Sequence, residues 1–182
     1  MSPSRYTARI DRIRDLAPNV RELTLCLVEP GPSTFHFLSG QSIAVDILLP
    51  ENQAQTVRYY SLASPSIQST RFTLLLSLAD QGVGATYLFQ QPEGATVQFH
   101  GPHGIFHLQE DKSQKMLFVA TGTGIAPFLS MLSSLLENPI TNPVRLYWGL
   151  RSERDLYYQE ELQTLADQNP CFSFVTTLSS SY

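Results

Sequence analysis

Arg58, Tyr60 and Ser61 lie close together in the segment VRYYSLAS, which runs from residue 57 to residue 64. If this segment is a β-strand, Arg58 and Tyr60 share one face, because successive side chains alternate. An arginine can bind two phosphate oxygens at once, and a tyrosine ring can stack on a flat heterocycle. A hydroxyl beside the ring can hydrogen-bond a ring nitrogen. The residue types predict a site for a phosphorylated aromatic molecule, although both tyrosines of the segment would also suit an ordinary barrel strand.

A second segment, FVATGTGIAPF, places Gly122 and Gly124 between an apolar run and the start of a helical pattern. Glycines at such a point let the backbone turn tightly and approach a diphosphate, which the free N–H groups of the helix start can bind. Pro127 suits the first helical turn and replaces the third glycine of the usual dinucleotide fingerprint. The segment therefore predicts either a dinucleotide site of unusual type or merely a tight turn.

A third glycine-rich segment, DQGVGATYLF, follows the arginine segment along the chain. It predicts a short helix from Ala85 to Gln90, which would be a second place to hold a diphosphate.

The first part of the chain, residues 1–110, has the pattern of an all-β domain. Leu23, Leu25 and Leu27 alternate with Glu22, Thr24 and Cys26, as in a strand with one buried face. Pro, Gly, Asn and Ser separate further runs of this kind, which together predict a closed or nearly closed antiparallel barrel of five or six strands. The segments predicted to be strands are VRELTLCLV, SIAVDILLP, TVRYYSLAS, RFTLLLSLA and ATVQFHGP.

Residues 111–182 have a different pattern. The continuous apolar run MLFVA is typical of a parallel strand covered on both faces, and FLSMLSSLLEN has helical spacing. VRLYWGL predicts a second strand, RDLYYQEELQTLADQN a second helix with Tyr157, Leu162 and Leu165 on its apolar side, and CFSFVTTL a third strand. The order β-α-β-α-β predicts a partial doubly wound parallel sheet, since three strands are fewer than the five or six usual for this architecture.

Composition excludes several classes of function. The chain of 182 residues has a net charge of −4 and lacks a basic stripe, which argues against nucleic-acid binding. No apolar run is long enough to span a membrane, and the charged start is unlike a secretory signal, so we expect a cytoplasmic protein. Cys26 and Cys171 are expected to be buried thiols, the four histidines to lie on the surface or in loops, and no metal site is expected.

Four segments in this order and spacing resemble the ferredoxin–NADP reductase superfamily, in particular the reductase modules of bacterial oxygenases. They are RYYS, GVGATYL, GPHGIF and TGTGIAPFLSML, and the resemblance extends from about residue 5 to the end. It implies an FAD-binding antiparallel barrel over residues 1–110 and an NAD(P)-binding α/β domain over residues 111–182. In the family this second domain continues past the third strand, so the resemblance also implies a chain truncated at its C-terminus.

The resemblance implies a role for each matching residue. Arg58 would contact the FAD diphosphate, Tyr60 would stack on the isoalloxazine, and Ser61 would lie near flavin N5, where hydride arrives; Tyr60 and Ser61 are thus the candidate catalytic residues. The family has a serine where this chain has Ala85, so Thr86 or backbone N–H groups would take its place. Ser179 to Ser181 are candidates for contact with a 2′-phosphate. The further FAD-binding residues implied are Tyr59, Ser64, Gly82, Val83, Gly84, Ala85 and Thr86, and those for the nicotinamide dinucleotide are Thr121, Gly122, Thr123, Gly124, Pro127, Gly149 and Arg151.

The implied function is electron transfer from NAD(P)H through FAD to a separate one-electron acceptor, either ferredoxin-like or an oxygenase component. A separate acceptor is expected because the sequence lacks the cysteine spacing of an iron–sulfur centre. Two alternatives stay open at this point. One is a flavin reductase that uses free flavin as its substrate, and the other is a non-catalytic flavin-binding fragment.

Overall fold

A computed structural model describes residues 4–28, 34–48, 55–66, 70–78, 82–108, 114–136 and 142–180. It contains one antiparallel sheet of six strands, followed along the chain by one parallel sheet of three strands. The barrel-plus-α/β fold class expected from the sequence is confirmed.

The antiparallel sheet is curved into a nearly closed barrel. Its strand order is β4-β3-β6-β1-β2-β5, and a bridge between Leu62 and Leu74 joins the end of β4 to β5 across the opening. Phe35, Phe72 and Phe99 are fully buried inside, with ring centroids 5.2 to 5.5 Å apart. The six strands are β1 (Arg5–Ala17), β2 (Val20–Leu27), β3 (Ser42–Leu48), β4 (Gln55–Ser61), β5 (Arg71–Ser77) and β6 (Thr96–His103).

The first strand, β1, was not predicted from the sequence. Ala8 and Ile10 are buried and alternate with exposed Arg9, which is an ordinary strand pattern. The pairing register with β2 then shifts between Ile10 and Arg12, where an irregularity inserts one extra residue. This shift interrupts the alternation of buried and exposed residues. The many charged residues in the second half of β1 further obscure the strand pattern in the sequence.

The parallel sheet consists of β7 (Met116–Thr121), β8 (Val144–Leu150) and β9 (Phe172–Leu178), in that order. Phe118, Leu146 and Trp148 on one face form a single core with the helices α2 (Ala126–Leu136) and α3 (Gln159–Gln168). The expectation that MLFVA is covered on both faces is wrong, because Leu117 and Val119 are 65% and 64% exposed. Both crossovers run in the same direction across the sheet, so both helices pack against the same face.

The helix boundaries differ from those expected. The first helix, α1, covers Val83–Phe89, and α2 begins two residues earlier than FLSMLSSLLEN, after a short 3₁₀ turn at Gly122–Ile125. The segment expected as one second helix is broken into a 3₁₀ turn at Glu153–Asp155 and α3. The break falls at Tyr158, which is left-handed (φ 57°) and precedes α3, so Tyr157 is buried but lies outside the helix.

The barrel and the α/β layer share one apolar core. Val20, Ala63 and Leu75 of the barrel pack in the same buried cluster as Ile125 and Ala126, which adjoin the glycine turn. This packing joins the chain just after β4 to the same buried cluster as the start of α2.

Two expectations, one about the cysteines and one about the histidines, need correction. Cys26 and Cys171 are free thiols, but both are only partly buried: Cys26 lies within β2, and Cys171 directly precedes β9. His100 and His103 lie in strand β6 rather than in loops, with His100 Nδ1 2.9 Å from His103 Nε2. Within the described ranges, no three His, Cys, Asp or Glu side chains come close enough together to hold a metal ion, and no helix has the length and apolar character to cross a bilayer.

Candidate functional site

Arg58 and Tyr60 lie on the same face of β4, against the start of α1. A Cβ atom added to Gly84 would lie 2.5 Å from the Tyr60 hydroxyl and 2.7 Å from Arg58 Cγ. Only a glycine can approach both side chains this closely, because any Cβ would overlap them. Two segments of the sequence that predicted a phosphate site, VRYYS and GVGAT, therefore form one surface.

The guanidinium of Arg58 is available to an anionic ligand. Its Nη1 donates to Thr56 Oγ1 at 2.9 Å and to the Val57 carbonyl at 2.8 Å, and both acceptors are uncharged. No carboxylate in the described part of the chain lies within ion-pair distance of it. An exposed arginine without an acidic partner suits a phosphate ligand.

Tyr60 is half-buried, and its hydroxyl stays protonated at neutral pH. Burial raises the pKa of Tyr60 to about 12, while the nearby charge of Arg58 acts in the opposite direction. The neutral phenol ring beside a cation is a suitable surface for stacking a flat heterocycle.

Alkaline titration checks this environment. Because the pKa of Tyr60 is above its ordinary value of 10 in the folded chain, its contribution to stability is complete below pH 10 and is lost as the pH rises towards 12. We expect Tyr60→Phe to lose less unfolding free energy than the wild type between pH 9 and about pH 12, measured by denaturant titration of flavin-free protein. An identical loss in both proteins would contradict the burial of this phenol.

The other residues predicted on or after β4 face different surroundings. Tyr59 is 64% exposed on the opposite face, with its ring 5.4 Å from that of His103. Ser61 ends the strand, half-buried and paired with Ser42 of β3. Ser64 is buried, and its hydroxyl accepts a hydrogen bond from the Thr73 backbone N–H at 3.1 Å. Their roles toward a flavin stay predictions.

In the α1 segment, Gly82 precedes the helix, and its carbonyl accepts from the Thr86 N–H at 2.9 Å. Val83 is exposed, whereas Ala85 is buried against the barrel. The first turn is therefore packed directly on the barrel surface that carries Arg58 and Tyr60.

A cavity of about 560 Å³ lies at the carboxyl ends of the three parallel strands. In open α/β sheets this edge is where ligands bind. Five residues predicted for the dinucleotide line the cavity, while Gly124 and Pro127 lie in the turn and helix behind it. The five are Thr121, Gly122, Thr123, Gly149 and Arg151.

The glycine turn is held open toward this cavity. Gly122 has φ +49°, a left-handed conformation that favours glycine, and a Cβ added to it would meet no atom within 4 Å. The indole N–H of Trp148 donates to the Gly122 carbonyl at 3.0 Å, which anchors the turn to β8. The turn thus offers open space next to a rigid backbone.

Several residues of this cavity were not found from the sequence. Asn19, Val20 and Ser77 belong to the barrel and come to the cavity only through the packing of the two layers. Asp155 and Tyr157 follow β8, and they could have been predicted from the rule that ligands bind beyond the carboxyl ends of parallel strands. From the candidate serines, Ser179 lines the cavity, Ser180 donates its N–H to the Arg151 carbonyl at 2.8 Å, and Ser181 lies outside the described residues.

The barrel surface and the sheet-edge cavity offer different groups to a nucleotide ligand. The barrel surface offers a cation without an acidic partner and an aromatic ring, and the sheet edge offers an open glycine turn with Arg151 on its rim. These two surfaces are the features expected of the class of protein that binds two nucleotide cofactors.

Comparison with known proteins agrees with this class. Residues 7–108 match the oxidoreductase FAD-binding domain family, and residues 118–181 match the oxidoreductase NAD-binding domain family. The chain is 36% identical over 174 residues to ferredoxin–NADP reductase B of Sorangium cellulosum, which covers 96% of this chain and 70% of that protein. It is 29% identical over 177 residues to the reductase component DmpP of phenol 2-monooxygenase from Pseudomonas sp., covering 97% of this chain and 48% of that protein.

Among solved structures, the Amycolatopsis cytochrome P450 reductase GcoB superposes with a TM-score of 0.85 at 29% identity, over 98% of this chain and 53% of that one. The chain thus spans 70% of the first relative and about half of the other two. The chain belongs to the ferredoxin–NADP reductase-like family of FAD- and NAD(P)-binding oxidoreductases, and the resemblance noted in its sequence is confirmed.

Proposed function

We propose that the chain is an electron-transfer module that takes reducing equivalents from NAD(P)H, through FAD, to a separate one-electron acceptor. The single observation that carries this proposal is the convergence of Arg58 and Tyr60 on Gly84. It brings a cation suited to phosphate, an aromatic ring suited to stacking and a closely packed glycine together in one place. The proposed domains are residues 1–110 for FAD and residues 111–182 for the dinucleotide.

The residues of the chain bind and orient, and none acts as a strong base. Arg58 would hold the FAD diphosphate together with the backbone from Gly82 to Thr86, and the ring of Tyr60 would support the isoalloxazine. When bound, FAD supplies the exchange between a two-electron hydride donor and one-electron acceptors. Ser61 would hydrogen-bond near flavin N5, and the glycine turn and Arg151 would orient NAD(P)H.

The acceptor is proposed to be a ferredoxin-like protein or an oxygenase component in the cytoplasm. The names of the relatives support this, since they include a ferredoxin–NADP reductase and the reductase component of a monooxygenase.

Anaerobic reduction tests the proposal. FAD-loaded protein is mixed with NADH and, separately, with NADPH, and the flavin absorbance is followed before and after ferricyanide is added. We expect bleaching by at least one dinucleotide and full recovery with ferricyanide as the one-electron acceptor. Bound FAD that neither dinucleotide bleaches would contradict the proposed activity and favour a flavin-binding fragment.

The same preparation separates the bound-cofactor function from a flavin reductase. If FAD is a resident cofactor, it stays with the protein through gel filtration and NAD(P)H oxidation needs no added flavin. Oxidation that requires free flavin in excess would favour the flavin reductase.

A further inference from the structure

The sheet-edge cavity contains a buried tyrosine whose hydroxyl has no partner. Tyr157 lines the cavity and is 5% exposed. Its hydroxyl oxygen is covered and makes no hydrogen bond to any of the described residues. A buried hydroxyl in this state destabilises the fold, because it gives up its hydrogen bonds to water and gains none. Such groups are rare in native proteins, so each one calls for an explanation.

The ring of Tyr157 has a structural role that is separate from its hydroxyl. It packs edge-on against Trp148 with centroids 4.9 Å apart, and against Tyr158 at 5.4 Å. The indole N–H of Trp148 in turn donates to the Gly122 carbonyl in the glycine turn. A phenylalanine would keep this packing, so the sequence does not need the hydroxyl to support the turn.

Burial, together with one neighbouring carboxylate, keeps the Tyr157 hydroxyl protonated. Burial raises the pKa of Tyr157 well above its ordinary value, and the carboxylate of Asp155 adds to the effect. Asp155 lines the same cavity, and its Oδ2 accepts from the Ser152 backbone N–H at 3.0 Å and the Ser152 hydroxyl at 2.7 Å. The phenol therefore carries a proton that it can donate.

We propose that Tyr157 is a direct binding residue for the nicotinamide dinucleotide, to whose phosphate or ribose oxygens its hydroxyl donates a hydrogen bond. The inference rests on the proposed function, since it assigns the partner of this hydroxyl within the same cavity. The hydroxyl is covered in the ligand-free chain, so the contact needs a small displacement of the adjoining turn from Ser152 to Asp155. Arg151 on the rim of the cavity would attract the same phosphates.

Tyr157→Phe tests this assignment because it removes one oxygen atom. Oxidised NADP⁺ and NAD⁺ are titrated into FAD-loaded wild-type and variant protein by calorimetry, and thermal unfolding is measured without dinucleotide. We expect the Kd of the preferred dinucleotide to rise about 2- to 13-fold, as for loss of one hydrogen bond. The unfolding midpoint should equal or exceed that of the wild type, because an unpartnered buried hydroxyl has been removed.

Two matched tyrosines serve as controls. The hydroxyl of Tyr158 donates to Glu22 of the barrel, so Tyr158→Phe should lower the unfolding midpoint and leave the Kd unchanged. Tyr147 lies on the exposed face of the sheet, away from the cavity, and Tyr147→Phe should change neither quantity.

The outcomes separate the inference from the proposed function. A Kd that changes less than twofold in Tyr157→Phe, or an unfolding midpoint that falls as it does in Tyr158→Phe, would overturn the inference alone. A wild-type protein that binds neither dinucleotide would overturn both.

Discussion

Arg58→Ala is expected to weaken FAD binding about 10- to 150-fold. A hydrogen bond between a charged donor and phosphate contributes about 1.5–3 kcal/mol, and the guanidinium has no acidic partner that would compete with the ligand. The measurement is a fluorescence titration of FAD into flavin-free protein. Among the described residues the guanidinium bonds to Thr56 and Val57 of its own strand, so the loss of these bonds should leave the barrel folded, which the unfolding midpoint of the variant checks.

Arg9→Ala is the matched control for this substitution. Arg9 lies exposed on β1 and forms an ion pair with Asp11 at 3.2 Å, so its loss should leave the Kd for FAD within twofold of the wild type. An equal loss of FAD affinity in the two variants would show that the effect comes from the net charge of the protein and not from Arg58 itself. An unchanged FAD affinity in Arg58→Ala would refute the assignment of Arg58 to the FAD diphosphate.

Gly84→Ala is expected to destabilise the protein and to weaken FAD binding together. At an exposed position inside a helix, a change from glycine to alanine stabilises the helix by about 1 kcal/mol, because alanine has the higher helix propensity. Here the added Cβ would lie 2.5 Å from the Tyr60 hydroxyl and 2.7 Å from Arg58 Cγ, and the second atom is too near the backbone to move freely. Overpacking of this kind costs about 1–3 kcal/mol, so the sign of the effect is reversed.

Gly82→Ser gives the contrast two residues away. A Cβ at Gly82 meets no atom within 4 Å, its φ is −59°, and serine suits the position before a helix. Chemical denaturation should show Gly82→Ser at or above the wild-type stability and Gly84→Ala below it. A Gly84→Ala protein as stable as the wild type would mean that α1 does not pack on Arg58 and Tyr60 as described.

The local patterns in the sequence were enough to identify the elements that carry the site. Alternation predicted β2 to β6, and the apolar run before Gly122 predicted the strand and turn, because each signal lies within one segment. The strand alternation also places Arg58 and Tyr60 on one face, as the structure shows through Gly84. Where a bulge interrupts the alternation, as after Ile10 in β1, the signal disappears.

The remaining features depend on contacts between distant segments. Asn19 and Ser77 line the sheet-edge cavity because the barrel and the α/β layer share a core, which no local pattern encodes. The helix break at Tyr158 depends on a left-handed residue whose side chain bonds to Glu22 of the barrel. The helical periodicity of the segment gives no sign of that distant partner.

Uptake of FAD by the purified chain tests the central claim most directly. The flavin-free protein is incubated with excess FAD and passed through a gel-filtration column, and the flavin absorbance of the protein peak is compared with its protein content. If the barrel surface binds the cofactor through Arg58, we expect one flavin per chain in the wild type and much less in Arg58→Ala. A wild-type peak that emerges without colour would contradict it.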